Sequence, residues 1–132
     1  MKIFLDSSFL IAYTIETDEN NKLAYKLENK GIFDNKCYIS NLIINEIVTV
    51  IGNKINLDLA VNTYNAIKDN CTIINEYNKP NFNDGVLKTY KKYNTKLSFT
   101  DCAILEIMKE HNIKKLVSFD KYFDRTNIER IH

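Results

Sequence analysis

Asp6 follows the apolar run Ile3-Phe4-Leu5, and Asp120 follows Val117-Ser118-Phe119. An acid directly after a short apolar run stands where a buried strand ends, and in open α/β sheets ligands bind beyond the carboxyl ends of the strands. If the two strands are neighbours, the two carboxylates converge at one sheet edge. Capping of a following helix would explain either aspartate taken alone. Glu46 sits in SNLIINEIVTVIGN, a segment apolar nearly all round, which predicts a buried helix. Its neighbours at three- and four-residue spacing are Leu42, Ile43, Thr49 and Val50. A glutamate is rarely buried there without a partner. Desolvation and like charges would raise its pKa, and a metal ion would reverse that cost. A salt bridge to a lysine or arginine is the plainer alternative. Asp101, in LSFTDCAILEIMKE, shares a helical stripe with Ile104, Leu105 and Met108. Ser98-x-x-Asp101 also matches a capping box with Asp in the usual Glu position. Capping accounts for Asp101, but not for the other three acids.

Taken together, two strand-end acids and two acids on apolar helix stripes predict one oxygen-rich site. Ligands that are all oxygen select a hard cation, Mg²⁺ or Mn²⁺. Nothing points to zinc, because His111 and His132 are isolated. His111 fits a helix C-terminus, where positive charge is tolerated. There is no GxxxxGK[ST] or GxGxxG loop for a nucleotide and no GxSxG or Cys-His arrangement for a covalent nucleophile.

The elements that must position these acids can be read from apolar periodicity. Strands are expected at Lys2 to Leu5, Lys36 to Ile39, Cys71 to Asn75, Lys115 to Phe119 and, weakly, Ile128 to Ile131. Helices are expected over Ser7 to Ile15, then from a cap at Asp18 to Gly31. The next runs from a cap at Ser40 to Ile51, stopped by Gly52, and another covers Asn56 to Asp69. Pro80 fits the first turn of a helix reaching about Asn94, and Ser98 opens one ending near His111. Strands alternating with helices imply β-α-β units, a mostly parallel sheet and helices on both faces. The expected fold class is therefore a three-layer α/β/α domain spanning residues 1–132.

Composition sets further bounds. A chain of 132 residues that is 45% hydrophobic can bury a core without disulfides or structural metal. A single Pro and three Gly favour long elements over many short strands. A net charge of +1 argues neither for nor against nucleic acid, so any such surface must be local. Cys37, Cys71 and Cys102 are odd in number and widely spaced, as expected of reduced thiols in a cytoplasmic protein. No apolar run approaches the roughly 18 residues of a membrane span. The chain opens directly on a strand, so no signal peptide is expected.

KIFLDSSFLIAY, the glutamate of SNLIINEI, SFTDCAILE and LVSFDKYFD, in this order, resemble the PIN-domain family over nearly the whole chain. The likeness is greatest to the VapC-type toxin ribonucleases of toxin–antitoxin pairs. The resemblance implies a Mg²⁺- or Mn²⁺-dependent endoribonuclease on a four- or five-stranded parallel sheet. It places the catalytic and metal-binding acids on Asp6, Glu46, Asp101 and Asp120. Ser7 and Thr100 become hydrogen-bond donors orienting carboxylates, and Asp124 an auxiliary ligand if the chain turns helical after Asp120. None of the four expected acids is replaced.

An RNA substrate would need cations beside such a pocket. Lys88, Lys92 and Lys96 share a helical face with Lys91 adjacent, and Lys121 and Arg125 flank Asp120. A solvated charged face explains each equally well. Tyr90 and Tyr93 could stack bases, but core packing is the simpler expectation. The resemblance also implies a homodimer and a protein antitoxin. Phe9, Leu10, Tyr13, Leu23, Tyr25 and Leu27 could offer the antitoxin an apolar groove, or be core. Two other readings compete: a PIN-type nuclease of RNA maturation, and an acidic-pocket α/β signalling domain. The second lacks a nucleophilic Asp at the end of a middle strand.

Overall fold

In the computed structural model, which describes residues 1–132, the short apolar runs become strands β1 (Lys2–Leu5), β2 (Lys36–Ser40), β3 (Thr72–Ile74), β4 (Lys115–Val117) and β5 (Glu129–Ile131). The helices are α1 (Ser7–Thr14), α2 (Asn21–Asn29), α3 (Asn41–Lys54), α4 (Leu57–Asn70), α5 (Phe82–Lys92) and α6 (Phe99–Glu110). Single 3₁₀ turns cover Ile32–Asp34, Glu76–Asn78 and Lys121–Arg125. All strand pairings are parallel, in the order β3-β2-β1-β4-β5, including the weakly signalled β5. No helix is long and apolar enough to cross a membrane.

This strand order fixes the layers. The chain steps one way from β1 to β2 to β3, then jumps back past β1 to β4. Right-handed crossovers put α1 to α4 on one face of the sheet and α5 with α6 on the other. The reversal falls between β1 and β4, which are paired through Phe4 with Leu116 and Leu5 with Val117. A crevice opens at the carboxyl ends of such a strand pair. Ile3, Phe4 and Leu5 are fully buried there, as a strand covered on both faces requires.

Several local expectations change. Asp18 does not start α2; its carboxylate accepts the Asn20 N–H at 2.9 Å in the turn before the helix. Gly52 does not stop α3, which continues to Lys54. Its bare Cα instead faces the buried Ala60 of α4. Pro80 lies before α5, whose N-cap is Asn81 in a left-handed conformation.

The helix α3 differs most. It buries one stripe, Ile43, Ile44, Ile47 and Ile51, and leaves its remaining surface at least partly open. Nor does Ser40 cap it: that hydroxyl is buried without a partner. The cap comes from Glu76, 97% buried beyond β3, whose two oxygens accept the N–H groups of Asn41 and Leu42 at 3.2 Å each. A carboxylate at a helix N-terminus meets both the free amides and the positive end of the dipole. Glu76→Ala should lower unfolding free energy by about 1–3 kcal/mol, because two part-buried amides lose their acceptor. Urea denaturation reads this directly. A loss below about 0.5 kcal/mol would show that the cap is dispensable.

Candidate active site

Each acid is brought to the carboxyl edge of the sheet by a different element. Asp6 immediately follows β1 and is the N-cap of α1. Asp120 follows β4 and is the N-cap of the turn Lys121–Arg125. Because α6 leads into β4 and runs against it, the first turn of α6, holding Asp101, lies at the same edge. α3 begins where β2 ends and carries Glu46 on its second turn. All four side chains line one cleft of about 920 Å³.

The four environments differ. Asp6 is 95% buried. Its Oδ1 accepts the Ser7 N–H at 2.9 Å, and its Oδ2 accepts the hydroxyls of Ser8 at 2.9 Å and Ser118 at 2.6 Å. Burial pushes its pKa up, the hydrogen bonds from Ser118, Ser8 and Ser7 pull it back, and the charge of Asp120 adds to the rise. Asp101 is half-buried within the predicted capping box with Ser98. Burial, then the charges of Asp120 and Asp6, push it up to about 6. Asp120 accepts the Tyr122 N–H at 2.9 Å. Glu46 is exposed, contrary to the expectation of a buried glutamate, because its face of α3 borders the cleft instead of the core. It makes no hydrogen bond or ion pair.

The supporting hydroxyls also differ from expectation. Ser7 holds Asp6 mainly through its backbone, its hydroxyl lying 3.5 Å away. Thr100 lines the cleft without bonding a carboxylate. The hydroxyls that grip Asp6 belong to Ser8 and Ser118. Ser118 is fully buried, and its oxygen also accepts the Asp120 N–H at 3.0 Å and lies 3.2 Å from Ser8 Oγ. It therefore joins two of the acids. Asp124 points away from the cleft into a two-pronged ion pair with Arg130, with N···O distances of 2.7 and 2.9 Å. Among the predicted cations only Lys96 lines the cleft. Lys88, Lys91, Lys92, Lys121 and Arg125 are exposed elsewhere. Arg125 lies over the Tyr122 ring at 5.2 Å and Lys92 over Tyr93 at 5.5 Å. Tyr90 and Tyr93 pack against the core.

Asp18 and Glu19 also border the cleft, so its lining carries Asp6, Asp18, Glu19, Glu46, Asp101 and Asp120 against the single cation Lys96. Neither was singled out as a site residue, because both precede α2 in a polar stretch without periodicity. On a chain with net charge +1, this is a strongly negative concavity. Burial first, with repulsion from neighbouring carboxylates added, raises the pKa values of Asp6 and Asp101. The donor set is all oxygen, which fits a hard divalent cation. No three acids are gathered into a preassembled cage.

The shift at Asp101 predicts a pH dependence. In the folded chain Asp101 keeps its proton up to about pH 6, while the unfolded chain releases it near 3.8. Between those values the folded state binds more protons, so Asp101 subtracts stability as pH rises, and its full cost is present above pH 6. In EDTA, Asp101→Asn should raise the melting temperature more at pH 7.5 than at pH 4.5. An equal shift at both pH values would contradict the assigned electrostatics.

A family model described as PIN domain matches residues 3–129. No curated protein sequence matches the chain. Solved structures resemble it at low identity. VapC20 of Mycobacterium tuberculosis, described as a sarcin-ricin loop cleaving toxin, aligns with TM-score 0.79 and 17% identity over 96% of this chain and 98% of its own. VapBC2 of Rickettsia felis, bound to a DNA fragment from their promoter, gives 0.71 and 14% over 99% and 98%. PAE2754 of Pyrobaculum aerophilum gives 0.65 and 15% over 98% and 87%. These likenesses establish a shared five-stranded parallel α/β fold.

Proposed function

The chain belongs to the PIN-domain family, and on that premise we propose that it is a metal-dependent endoribonuclease acting as the toxin of a toxin–antitoxin pair. One observation carries the catalytic part: Asp6, Glu46, Asp101 and Asp120, from four different elements, line a single acidic cleft at the β1–β4 switch point. The toxin reading is supported by the fold shared with VapC20, described as a toxin, and with VapBC2. A cytoplasmic homodimer with a protein antitoxin belongs to the same reading.

The residues divide the work by their environments. Asp6, fixed by Ser7, Ser8 and Ser118, and Asp101 would be the principal ligands for Mg²⁺ or Mn²⁺. Asp120 completes the set. A divalent cation there supplies positive charge for the phosphodiester and lowers the pKa of a bound water. Glu46 has no hydrogen bond occupying its oxygens, so it is the group that takes the proton of the attacking water. Attack in line with the P–O3′ bond leaves a 5′-phosphate and a 3′-hydroxyl.

Lys96, the one cleft cation, holds a backbone phosphate of the RNA. Lys96→Ala should raise KM with little change in kcat and reduce the salt slope of binding by about one. Fluorescence anisotropy at several salt concentrations measures that slope, and an unchanged slope removes Lys96 from the RNA contact. The chemistry itself is tested by end analysis of total RNA digested with Mg²⁺, Mn²⁺ or EDTA. Cuts that need metal and leave 5′-phosphates support the proposal. Metal-independent cuts ending in 2′,3′-cyclic phosphates would overturn it, since those arise from the RNA's own 2′-hydroxyl. Growth arrest on expression, relieved by co-expressing a small open reading frame found beside the gene, separates a toxin from an RNA-maturation nuclease.

A further inference from the structure

Arg130 lies on β5, at the edge of the sheet, yet its side chain is only 7% exposed. Edge strands ordinarily carry their charges into solvent, and a guanidinium this deep needs partners for its donors. It has three. Nε and Nη2 grip the Asp124 carboxylate at 2.7 and 2.9 Å, and Nη1 donates to the Ser118 carbonyl oxygen at 3.1 Å.

Both partners are tied to the cleft segment. Ser118 is the residue whose hydroxyl donates to Asp6 and accepts the Asp120 N–H. Asp124 lies in the turn that Asp120 caps. Arg130 thus clamps both ends of the segment 118–124, with Asp120 between the clamped points. The hydrogen bond and charge of Asp124, and after them the charge of Asp120, hold the guanidinium protonated. An isolated surface ion pair contributes little, but a forked pair with a buried guanidinium and a third bond is geometrically fixed.

We propose that Arg130 is a positioning residue for this site: it fixes the Ser118–Asp124 segment so that Ser118 stays on Asp6 and Asp120 stays at the cleft. The inference rests on the reading of this cleft as the hydrolytic metal site, and it assigns Arg130 no contact with RNA.

The test uses the full chain with Arg130→Gln, Arg130→Lys and Asp124→Asn. Arg130→Gln should lower kcat and Mn²⁺ affinity by roughly 10–100-fold, the usual effect of removing an outer hydrogen-bond partner, with KM within about threefold. Lysine cannot reproduce the fork, so Arg130→Lys should fall between wild type and glutamine. Amide hydrogen exchange at Asp120 should speed up in every variant. Asp124→Asn changes an exposed group off the cleft, so it keeps the test valid if Arg130→Gln fails to fold. A rise in KM alone would make Arg130 an RNA contact and overturn the proposal. So would a lowered melting temperature with wild-type exchange at Asp120 and wild-type Mn²⁺ affinity. If the wild type cleaves no RNA, the nuclease reading fails separately, and the exchange and Mn²⁺ data still decide for or against the clamp.

Discussion

Asp6→Asn should lower kcat by on the order of a thousandfold while the protein remains folded. Asp6 is the most constrained acid of the cleft, 95% buried and held by Ser7, Ser8 and Ser118. An amide cannot supply two anionic oxygens to a cation. The charge stabilisation a metal gives the transition state is worth several kcal/mol, and each 1.36 kcal/mol is about tenfold in rate. Folding should survive, because burial raises the pKa of Asp6 and the neutral amide avoids that cost. Single-turnover cleavage of an RNA substrate measures the effect. Wild-type turnover in Asp6→Asn would remove Asp6 from the site.

Ser118→Ala should produce the second largest loss, roughly 10–100-fold in Mn²⁺ affinity and in kcat. Two bonds disappear at once: the 2.6 Å donation to Asp6 Oδ2 and the acceptor of the Asp120 N–H at 3.0 Å. Ser118 itself is fully buried, so water does not readily replace the hydroxyl. Asp6 Oδ2 keeps only Ser8, and the Asp120 amide is left unpaired, at about 1–3 kcal/mol of stability. Ser118→Thr keeps a hydroxyl and should retain much of the activity. Isothermal titration with Mn²⁺ together with urea denaturation separates the two effects. Unchanged Mn²⁺ affinity in Ser118→Ala would show that Asp6 is held well enough without it.

The fold was legible because its signals are local. Runs such as Ile3-Phe4-Leu5 and Leu116-Val117 are short, apolar and followed by acids, and they became the neighbouring strands at the switch point. What stayed hidden depends on distant partners. No local pattern marks Glu76, and its role as the cap of α3 arises from a contact 35 residues away. Nothing beside Ser118 in the sequence points to its role, because the carboxylate it holds is 112 residues distant. Glu46 is exposed although its segment reads as buried, because isoleucine and valine are spread around α3 and the pattern does not show which face meets a cleft. Asp124 and Lys121 are close to Asp120 in sequence, but the 3₁₀ turn and Arg130 direct Asp124 elsewhere.

The central claim, that these carboxylates form one metal site, is tested most directly by Mn²⁺ binding to EDTA-stripped protein at pH 7.5, by electron paramagnetic resonance, for wild type, Asp6→Asn and Asp101→Asn. The account predicts saturable binding by the wild type, weakened at least tenfold in each variant, with circular dichroism unchanged. Equal Mn²⁺ binding by all three proteins would contradict it.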